Sequence, residues 1–565
     1  MALTITDTQV YVAATAIHTA YGTSVIDTYQ KMKTGVSALS PDTYGTNNFY
    51  SQRIVDDTEP FSTLSRIENI ALQTAKRALK SVPTLNPIDI QLIVCTTKGN
   101  IGLAKSTSTI TPNSELLLYN SAQKISSLLG TTAYRPIVVS NACISGVVGP
   151  LVGSRLIRAG KCRHALIVAL DEMTDFITSG FISFRSVSSK PCLPYDKRRD
   201  GLSLGEAAGA MLLTTDYTLS VGACISGGAM SDDANHISGP SRTGLPLSEA
   251  INTAIAESKI TTNDVAFVNT HGTATIYNDE MESKALNAAG LTNTPLNSLK
   301  PYFGHTLGAS GLIELIICLC ELQDQTLLGT LGFSECGTPY PVNMSVRNRP
   351  ISGTCCLKTA SGFGGCNVAL VLTTDTAKRV ATHSHTTYHT LHTLSIENGQ
   401  IIADGQTILS STPDFDTFIR NAYHTHCQPN MKFFKMDDIS RLAYVGSEII
   451  LADLADEKRA NMGILFTNTS SSLDTDLIYC SMQEKGEENP ARFVYTLPNI
   501  MIGEVCIRHH IFGETLFVAS DNNYDHMYLT NLATNILHSD TILCGRVEKL
   551  KDKYSLCLSL ITKQD

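Results

Sequence analysis

The sequence predicts an α/β fold in which reactive side chains gather at one end of a sheet. Three observations carry this. The apolar run Pro136-Ile137-Val138-Val139 leads into Ser140-Asn141-Ala142-Cys143-Ile144-Ser145-Gly146, and then into a small-residue segment ending at Gly153. Two further apolar segments adjoin histidine turns: 265–275 contains His271, and 299–311 places His305 before the apolar run Leu312 to Leu322. A fourth turn, Ser361-Gly362-Phe363-Gly364-Gly365, precedes the strand-like Val368 to Leu372. Turns on a rigid scaffold are where catalytic groups usually sit.

The first of these segments reads as strand, sharp turn and tightly packed helix, with Cys143 at the helix N-terminus. Unpaired amides and the macrodipole there favour a thiolate, the nucleophilic form of cysteine. A lone cysteine is as readily a small core residue. The two histidine turns weigh the reading toward chemistry.

The segments Asn-Ala-Cys-x-Ser-Gly, Thr-His-Gly-Thr-x-Thr, Lys-x3-Gly-His-x2-Gly-Ala-x-Gly and Gly-Phe-Gly-Gly resemble those of the β-ketoacyl synthases. Pro194 to Glu206 and Asn278-Asp279-x-x-Glu282 match two further segments of that family, and the likeness spans residues 1 to about 375. It implies a thiolase-like five-layer αβαβα fold built from two similar halves, about 1–215 and 221–374. The activity implied is decarboxylative condensation of an acyl thioester with a malonyl thioester, extending a chain by two carbons.

Residue by residue, the resemblance implies that Cys143 forms the acyl-enzyme, dividing the condensation into two easier steps. His271 and His305 stabilise the enolate oxygen, and the backbone amides of Cys143 and Phe363 hold the oxyanion. Lys300 and Glu282 form a charge pair that orients the histidines. Thr273 and Thr275 bind the phosphopantetheine arm of the substrate, and Phe363 gates the cysteine between flanking glycines. Ile144 stands where a small residue is usual, which implies a shortened or reshaped acyl pocket. Thiolases carry a second cysteine in the final glycine turn. Here that turn holds Phe363, and Cys366 lies beyond it in a strand-like segment.

The remaining sequence divides into an expected linker with short strands, 376–411, and a region from about 412 to 565. His383, His385, His389 and His392 fall in the linker without an accompanying carboxylate or cysteine set. Asn398-Gly399 and Asp404-Gly405 mark hairpin turns. From about Asp414 the chain parallels its own beginning. A helix opens at Asp437-Asp438, a strand covers Met462 to Asn468, and Pro498 to Glu504 precedes a helix-like run ending at Gly513. Thr515 to Ser520 then matches the strand before Cys143, which places Asn522 at the nucleophile position. The region resembles a degenerate synthase N-terminal half like those of bacterial aryl polyene and flexirubin-type pigment clusters. Synthases of the family pair through their N-terminal halves, so this region is expected to occupy the partner surface, within the chain or in a second copy.

With 565 residues, 43% hydrophobic and 17% charged, the chain predicts two or more globular domains. No apolar run approaches the ~20 residues that span a bilayer, and no signal-peptide core opens the chain, so a cytoplasmic location is expected. Sixteen scattered cysteines point to free thiols. A net charge of −9 gives no support for nucleic-acid binding. Lys197-Arg198-Arg199 is a candidate piece of a basic docking patch for an acidic acyl carrier protein. A homodimer or synthase-like heterodimer is expected, and no metal or redox cofactor is implied. The alternatives are a non-enzymatic partner that sets chain length for another synthase, or a malonyl decarboxylase.

Overall fold

A computed structural model of the chain describes residues 8–54, 63–377, 387–521, 523 and 525–564. The expected positions of His383, His385 and Asn522 lie outside these. The catalytic part contains strands β1 (Val10–His18), β2 (Ile90–Cys95), β3 (Ile137–Val139), β4 (His164–Asp171), β5 (Ala207–Thr214), β6 (Cys224–Asp232), β7 (Val265–Asn269), β8 (Leu296–Asn297), β9 (Cys355–Ser361) and β10 (Cys366–Thr373). Its principal helices are α1 (Arg66–Lys80), α2 (Leu118–Leu129), α3 (Ser145–Arg158), α4 (Leu245–Glu257), α5 (Ile276–Ala288) and α6 (Ser310–Asp324). The C-terminal part adds β11 (Tyr388–Glu397), β12 (Gln400–Ala403), β13 (Gln406–Ser410), β14 (Gly463–Asn468), β15 (Thr515–Ala519), β16 (Thr541–Leu550) and β17 (Lys553–Lys563). Its helices include α7 (Asp438–Ile450), α8 (Leu473–Glu484), α9 (Ile500–His509) and α10 (His526–Ile536).

The catalytic part forms two sheets, β1–β5–β4–β2–β3 and β6–β10–β9–β7–β8, joined where β1 meets β6. Helices α3 and α6 pack against each other between the sheets, α1 lies outside the first and α4 outside the second. This is the five-layer thiolase-like arrangement. Strands covered on both faces carry no polar alternation, and β4 and β5 are buried at every residue. Small residues in α3 follow from its central position: a Cβ on Gly146 would stand 2.6 Å from the Gly308 carbonyl oxygen. Helix α1 begins with a capping box, Ser65 to Glu68, which satisfies amides at its exposed start.

The C-terminal part repeats the first sheet. Its order β11–β17–β16–β14–β15 corresponds to β1–β5–β4–β2–β3. Short strands are expected in 376–411, and 388–410 supplies three; they differ from expectation in belonging to the C-terminal sheet rather than to a linker, with β11 in the place of β1. Its apolar Leu394 and Ile396 reach the core, whereas the polar composition read as linker belongs to the exposed face. Asn398-Gly399 and Asp404-Gly405 are the two-residue hairpin turns, all four residues at positive φ. The helix expected after Pro498 to Glu504 already starts inside that stretch, at Ile500.

The two parts meet edge to edge. β15 pairs antiparallel with β3, Val518 opposite Val139 and Ala519 opposite Val138. Asn141, two residues before Cys143, braces the seam: its Nδ2 donates to the Thr515 carbonyl at 2.9 Å and its Oδ1 accepts from the Phe517 amide at 2.7 Å. The strand edge that a second subunit would take is thus filled within the chain. Across the same seam, buried Arg155 of α3 donates two hydrogen bonds to Glu514, at 2.7 and 2.8 Å.

The C-terminal sheet is buried on the face that packs on its helices. In β17, Leu556, Leu558 and Leu560 are buried in the core that also contains α7, while Ser555 and Cys557 are only half-buried. Helix α10 buries Leu529, Leu532, Ala533 and Ile536 and leaves Met527 exposed. Among the described residues no helix is long and apolar enough to cross a membrane.

Candidate active site

Cys143 sits in a short helical turn, Ala142–Ile144, that feeds α3. Ala142 has φ +47, a left-handed conformation costly for a residue with a side chain. This strain makes the sharp corner between β3 and α3. The cysteine lines an opening of about 330 Å³ together with Thr97, Lys98, Ile177, Phe181, Leu307 and Phe363 from the catalytic part. Phe493, Thr496 and Leu497 of the C-terminal part close the same opening. Burial pushes the Cys143 thiol up to about 12, against the pull of the Lys300 ammonium, with Asp171 adding to the rise. The thiolate expected from the helix terminus alone is therefore not the resting form, because desolvation outweighs the helix end.

His271 follows β7 and His305 follows the short helix Lys300–Phe303. Their rings are edge to face, centroids 5.2 Å apart at 86°. Both imidazoles are held well below their usual value, first by burial and next by the Lys300 charge. Both are therefore neutral. Ser310 Oγ accepts from the Thr306 amide at 3.0 Å and lies 3.1 Å from His305 Nδ1. The Thr306 hydroxyl donates to the same oxygen at 3.3 Å, so both lone pairs are engaged and the hydroxyl donates to Nδ1, which assigns the ring proton of His305 to Nε2.

Lys300 does not pair with Glu282. Its Nζ donates to Glu314 Oε1 at 2.7 Å, and Lys358 Nζ donates to Glu314 Oε2, with all three side chains buried. Glu282 instead accepts the backbone amides of His271 at 2.8 Å and Gly272 at 2.7 Å, and the Tyr195 hydroxyl at 3.1 Å. It fixes the His271 turn through the main chain. The physical reason for the exchange lies in α6: Glu314 is an acid inside the apolar run Leu312 to Leu322 and needs a cation in the core. Two acids interrupt that run in the sequence: Glu314 takes the lysines, whereas Glu321 accepts from Asn297 Nδ2 at 2.7 Å and the Leu328 amide at 2.9 Å. Two lysines on one glutamate leave a net positive charge near both imidazoles.

The other expected residues are distributed as follows. Thr273 and Thr275 hydrogen-bond each other at 2.8 Å in the turn after His271. Phe363 is half-buried and stacks on Phe184, centroids 5.4 Å apart, and on Phe181 at 6.3 Å. Ile144 is fully buried in the core between the sheets rather than lining the opening. Of the basic run, Arg199 is buried and donates to the Gly337 carbonyl, whereas Arg198 and Lys197 are exposed and pair with Asp196 and Glu335. His392 of β11 pairs with Asp404 at 2.8 Å. Among the described residues no group of three or more His, Cys, Asp or Glu is placed to hold a metal ion.

Lys98 was missed by sequence reasoning. It lies three residues past the end of β2, and its Nζ donates to Asp476 Oδ2 at 2.5 Å, the Thr496 carbonyl at 2.6 Å and Ser472 Oγ at 3.1 Å, all in the C-terminal part. Its partner is 378 residues away. Asp171 was missed as well. Its buried carboxylate accepts from the Thr97 and Gly308 amides at 3.0 and 2.7 Å, tying the segment before Lys98 to the turn after His305.

Comparison with known proteins agrees with this geometry. Residues 94–218 match the family model for the β-ketoacyl synthase N-terminal domain, and 222–334 that for the C-terminal domain. The chain is 31% identical over 252 residues to 3-oxoacyl-acyl-carrier-protein synthase 2 of Vibrio harveyi, covering 42% of this chain and 61% of that protein. It is 30% identical over 257 residues to the tetracenomycin polyketide synthase ketoacyl synthase alpha subunit of Streptomyces glaucescens, covering 42% and 59%. The matched region thus spans about 60% of these relatives. Among solved structures, the ketosynthase ApeO in complex with its chain length factor ApeC, from Xenorhabdus doucetiae, matches with TM-score 0.58 at 24% identity, over 66% of this chain and 98% of that one. The PfaC keto synthase-chain length factor matches with TM-score 0.76 at 14% identity, over 98% of this chain and 78% of that one. At these identities the two structures establish the fold.

Proposed function

We propose that this chain, of ketosynthase type in its two matched domains and its fold, is a condensing enzyme that carries its acyl chain on Cys143. The observation that carries the reading is one opening shared by a cysteine at a strained strand-to-helix corner and the residues following His305, beside two buried neutral imidazoles. Cys143 Sγ attacks the carbonyl of an acyl thioester. Its proton leaves with the departing carrier thiol, and the acyl group stays on sulfur.

A malonyl thioester then enters. Its carboxylate–carbon bond breaks and carbon dioxide leaves. The electron pair moves onto the thioester oxygen as an enolate, stabilised by neutral imidazole N–H donors, with His305 Nε2–H the assigned one. Neutral rings serve here because a donor is needed and not a fixed charge on the ground state. The enolate carbon attacks the acyl carbonyl on Cys143, and the tetrahedral oxyanion is held by the backbone amides of Cys143 and Phe363. Donors of this kind are worth about 3–4 kcal/mol each. Collapse expels the Cys143 thiolate, which takes up a proton from solvent. The bond changes balance without a metal or redox cofactor.

The partner is an acyl carrier protein, in line with the relatives' names, and the C-terminal part serves as a built-in chain length factor. Phe493, Thr496, Leu497 and the Lys98–Asp476 pair support that role, because they close the opening in front of the sulfur. Intact-protein mass after incubation with acyl carrier proteins of different chain lengths tests the reading. An acyl increment on wild type, absent from Cys143→Ala, is expected. No increment with any acyl group, alongside carbon dioxide release from malonyl carrier, would overturn it in favour of a decarboxylase.

A further inference from the structure

The turn Gly362-Phe363-Gly364-Gly365 is held from two sides. On the catalytic side the Gly362 amide donates to the Cys366 carbonyl at 2.9 Å, the Gly364 amide to the Ile237 carbonyl at 2.7 Å, and the Asp233 amide to the Gly365 carbonyl at 2.8 Å. On the other side lies the start of α9, from the C-terminal part. Asn499 precedes the first residue of α9, and its Nδ2 donates to the Phe363 carbonyl at 2.7 Å. The same Nδ2 lies 3.7 Å from Cys366 Sγ.

The contact is close and specific. Asn499 is 3% exposed, and among the described residues its Oδ1 has no hydrogen-bond partner. The amide is thus placed for what Nδ2 does. Gly503, one helical turn on, brings backbone against backbone: a Cβ there would stand 2.5 Å from the Gly364 carbonyl oxygen. A Cβ on Gly364 would meet Asn499 Nδ2 at 2.6 Å. Gly364 and Gly365 have φ of +93° and +85°, so this turn has conformations open to it that other residues lack. A turn with that freedom keeps one geometry only where contacts over-determine it.

We propose that Asn499 is a positioning residue, a latch through which the non-catalytic part holds the Phe363 turn closed over Cys143. Swinging the whole Phe363 turn away about its glycines moves the Phe363 carbonyl, so an opening of that kind breaks the Asn499 hydrogen bond. The C-terminal part then does more than wall the acyl pocket: it sets when the site is open to substrate and water. The role in turnover rests on the proposed condensing function, whereas the latch itself can be read without substrate.

The test uses the full chain as wild type, Asn499→Ala and a control, Tyr44→Phe, which removes a contact between the same two parts, to Glu488 at 3.2 Å. Hydrogen exchange without ligand is expected to quicken at least fivefold in peptides covering 361–366 of Asn499→Ala. Exchange in α9, β10 and β15 is expected to stay at the wild-type rate, and Tyr44→Phe to match wild type throughout. The half-life of acylated Cys143 toward hydrolysis is expected to shorten severalfold in Asn499→Ala alone. Unchanged exchange at 361–366, or equal loosening of α9 and β15, would overturn the latch. A loosened turn with unchanged hydrolysis would overturn its role in positioning. If no variant takes up an acyl group, the condensing function fails while the exchange result still decides the latch.

Discussion

The Lys98–Asp476 pair makes the sharpest energetic prediction, because it is buried, joins the two parts and faces the acyl opening. Lys98 is 5% and Asp476 1% exposed. Burial pushes the Asp476 carboxyl up to about 6, even though the Lys98 ammonium beside it pulls it down. A rise of about two pKa units corresponds to about 3 kcal/mol against the ionised carboxylate in the folded chain. Burial thus costs the Asp476 carboxylate more than the neighbouring ammonium returns to it. Removing only the acid, in Asp476→Ala, leaves the ammonium with two neutral acceptors and should destabilise by about 3–5 kcal/mol. Replacing both, in Lys98→Met with Asp476→Leu, should be nearly neutral or stabilising. Urea unfolding of wild type, Lys98→Met, Asp476→Leu and the double variant reads the coupling directly. Because an acid with a raised pKa favours the fold when protonated, the wild-type contribution is largest below pH about 4 and falls as pH rises through about 6. A coupling below about 1 kcal/mol, or a double variant as unstable as Asp476→Ala, would refute the reasoning. The length distribution of products from the double variant tests the same residues as part of the acyl wall, and a longer average product is expected.

Three further outcomes follow from the geometry. Glu314→Gln leaves the Lys300 and Lys358 ammonium groups without an anion in the core, and should cost about 3–5 kcal/mol in thermal or denaturant unfolding, whereas the same change at Glu335, on an exposed pair, should cost less than about 1 kcal/mol. Burial pushes Glu257 up, but the His538 imidazole and the Arg155 guanidinium hold it down at about 2. A depressed acid stabilises the fold above its unfolded pKa. Up to about 3 kcal/mol should therefore be lost as pH falls from 4.5 toward 2, and Glu257→Gln should flatten that limb of the stability profile. Since β15 fills the β3 edge within the chain, light scattering should give the mass of a single chain at micromolar concentration, and a dimer mass would count against the internal pairing.

Much of the catalytic part was legible because its chemistry is local. A cysteine, a histidine or a glycine turn at the end of an apolar run stands at a strand end or helix start whatever lies around it, and Cys143, His271, His305 and Phe363 fell where their neighbours placed them. The pairing of Lys300 was not legible. A buried ion pair is chosen by which charges the packed layers bring together, and α6 delivered Glu314 to a place that chain order gave to Glu282. The thiol of Cys143 shows the same limit: a helix terminus is local and favours the thiolate, but desolvation by the second sheet and the C-terminal part is not local, and it wins.

The sequence by itself determined the repeat. The alternation in 554–560 and the hairpin dipeptides at 398 and 404 encode a sheet with one face dressed for solvent, and the run before Asn522 carries the strand without its nucleophile. Tertiary structure alone decided where the repeat sits. Edge pairing of β15 with β3, the Lys98–Asp476 contact across 378 residues of chain and the meeting of Asn499 with the Phe363 carbonyl depend on two separately written segments arriving face to face. No period or motif records that arrival, because it is set by which apolar faces and unpaired strand edges remain to be covered once each part has folded.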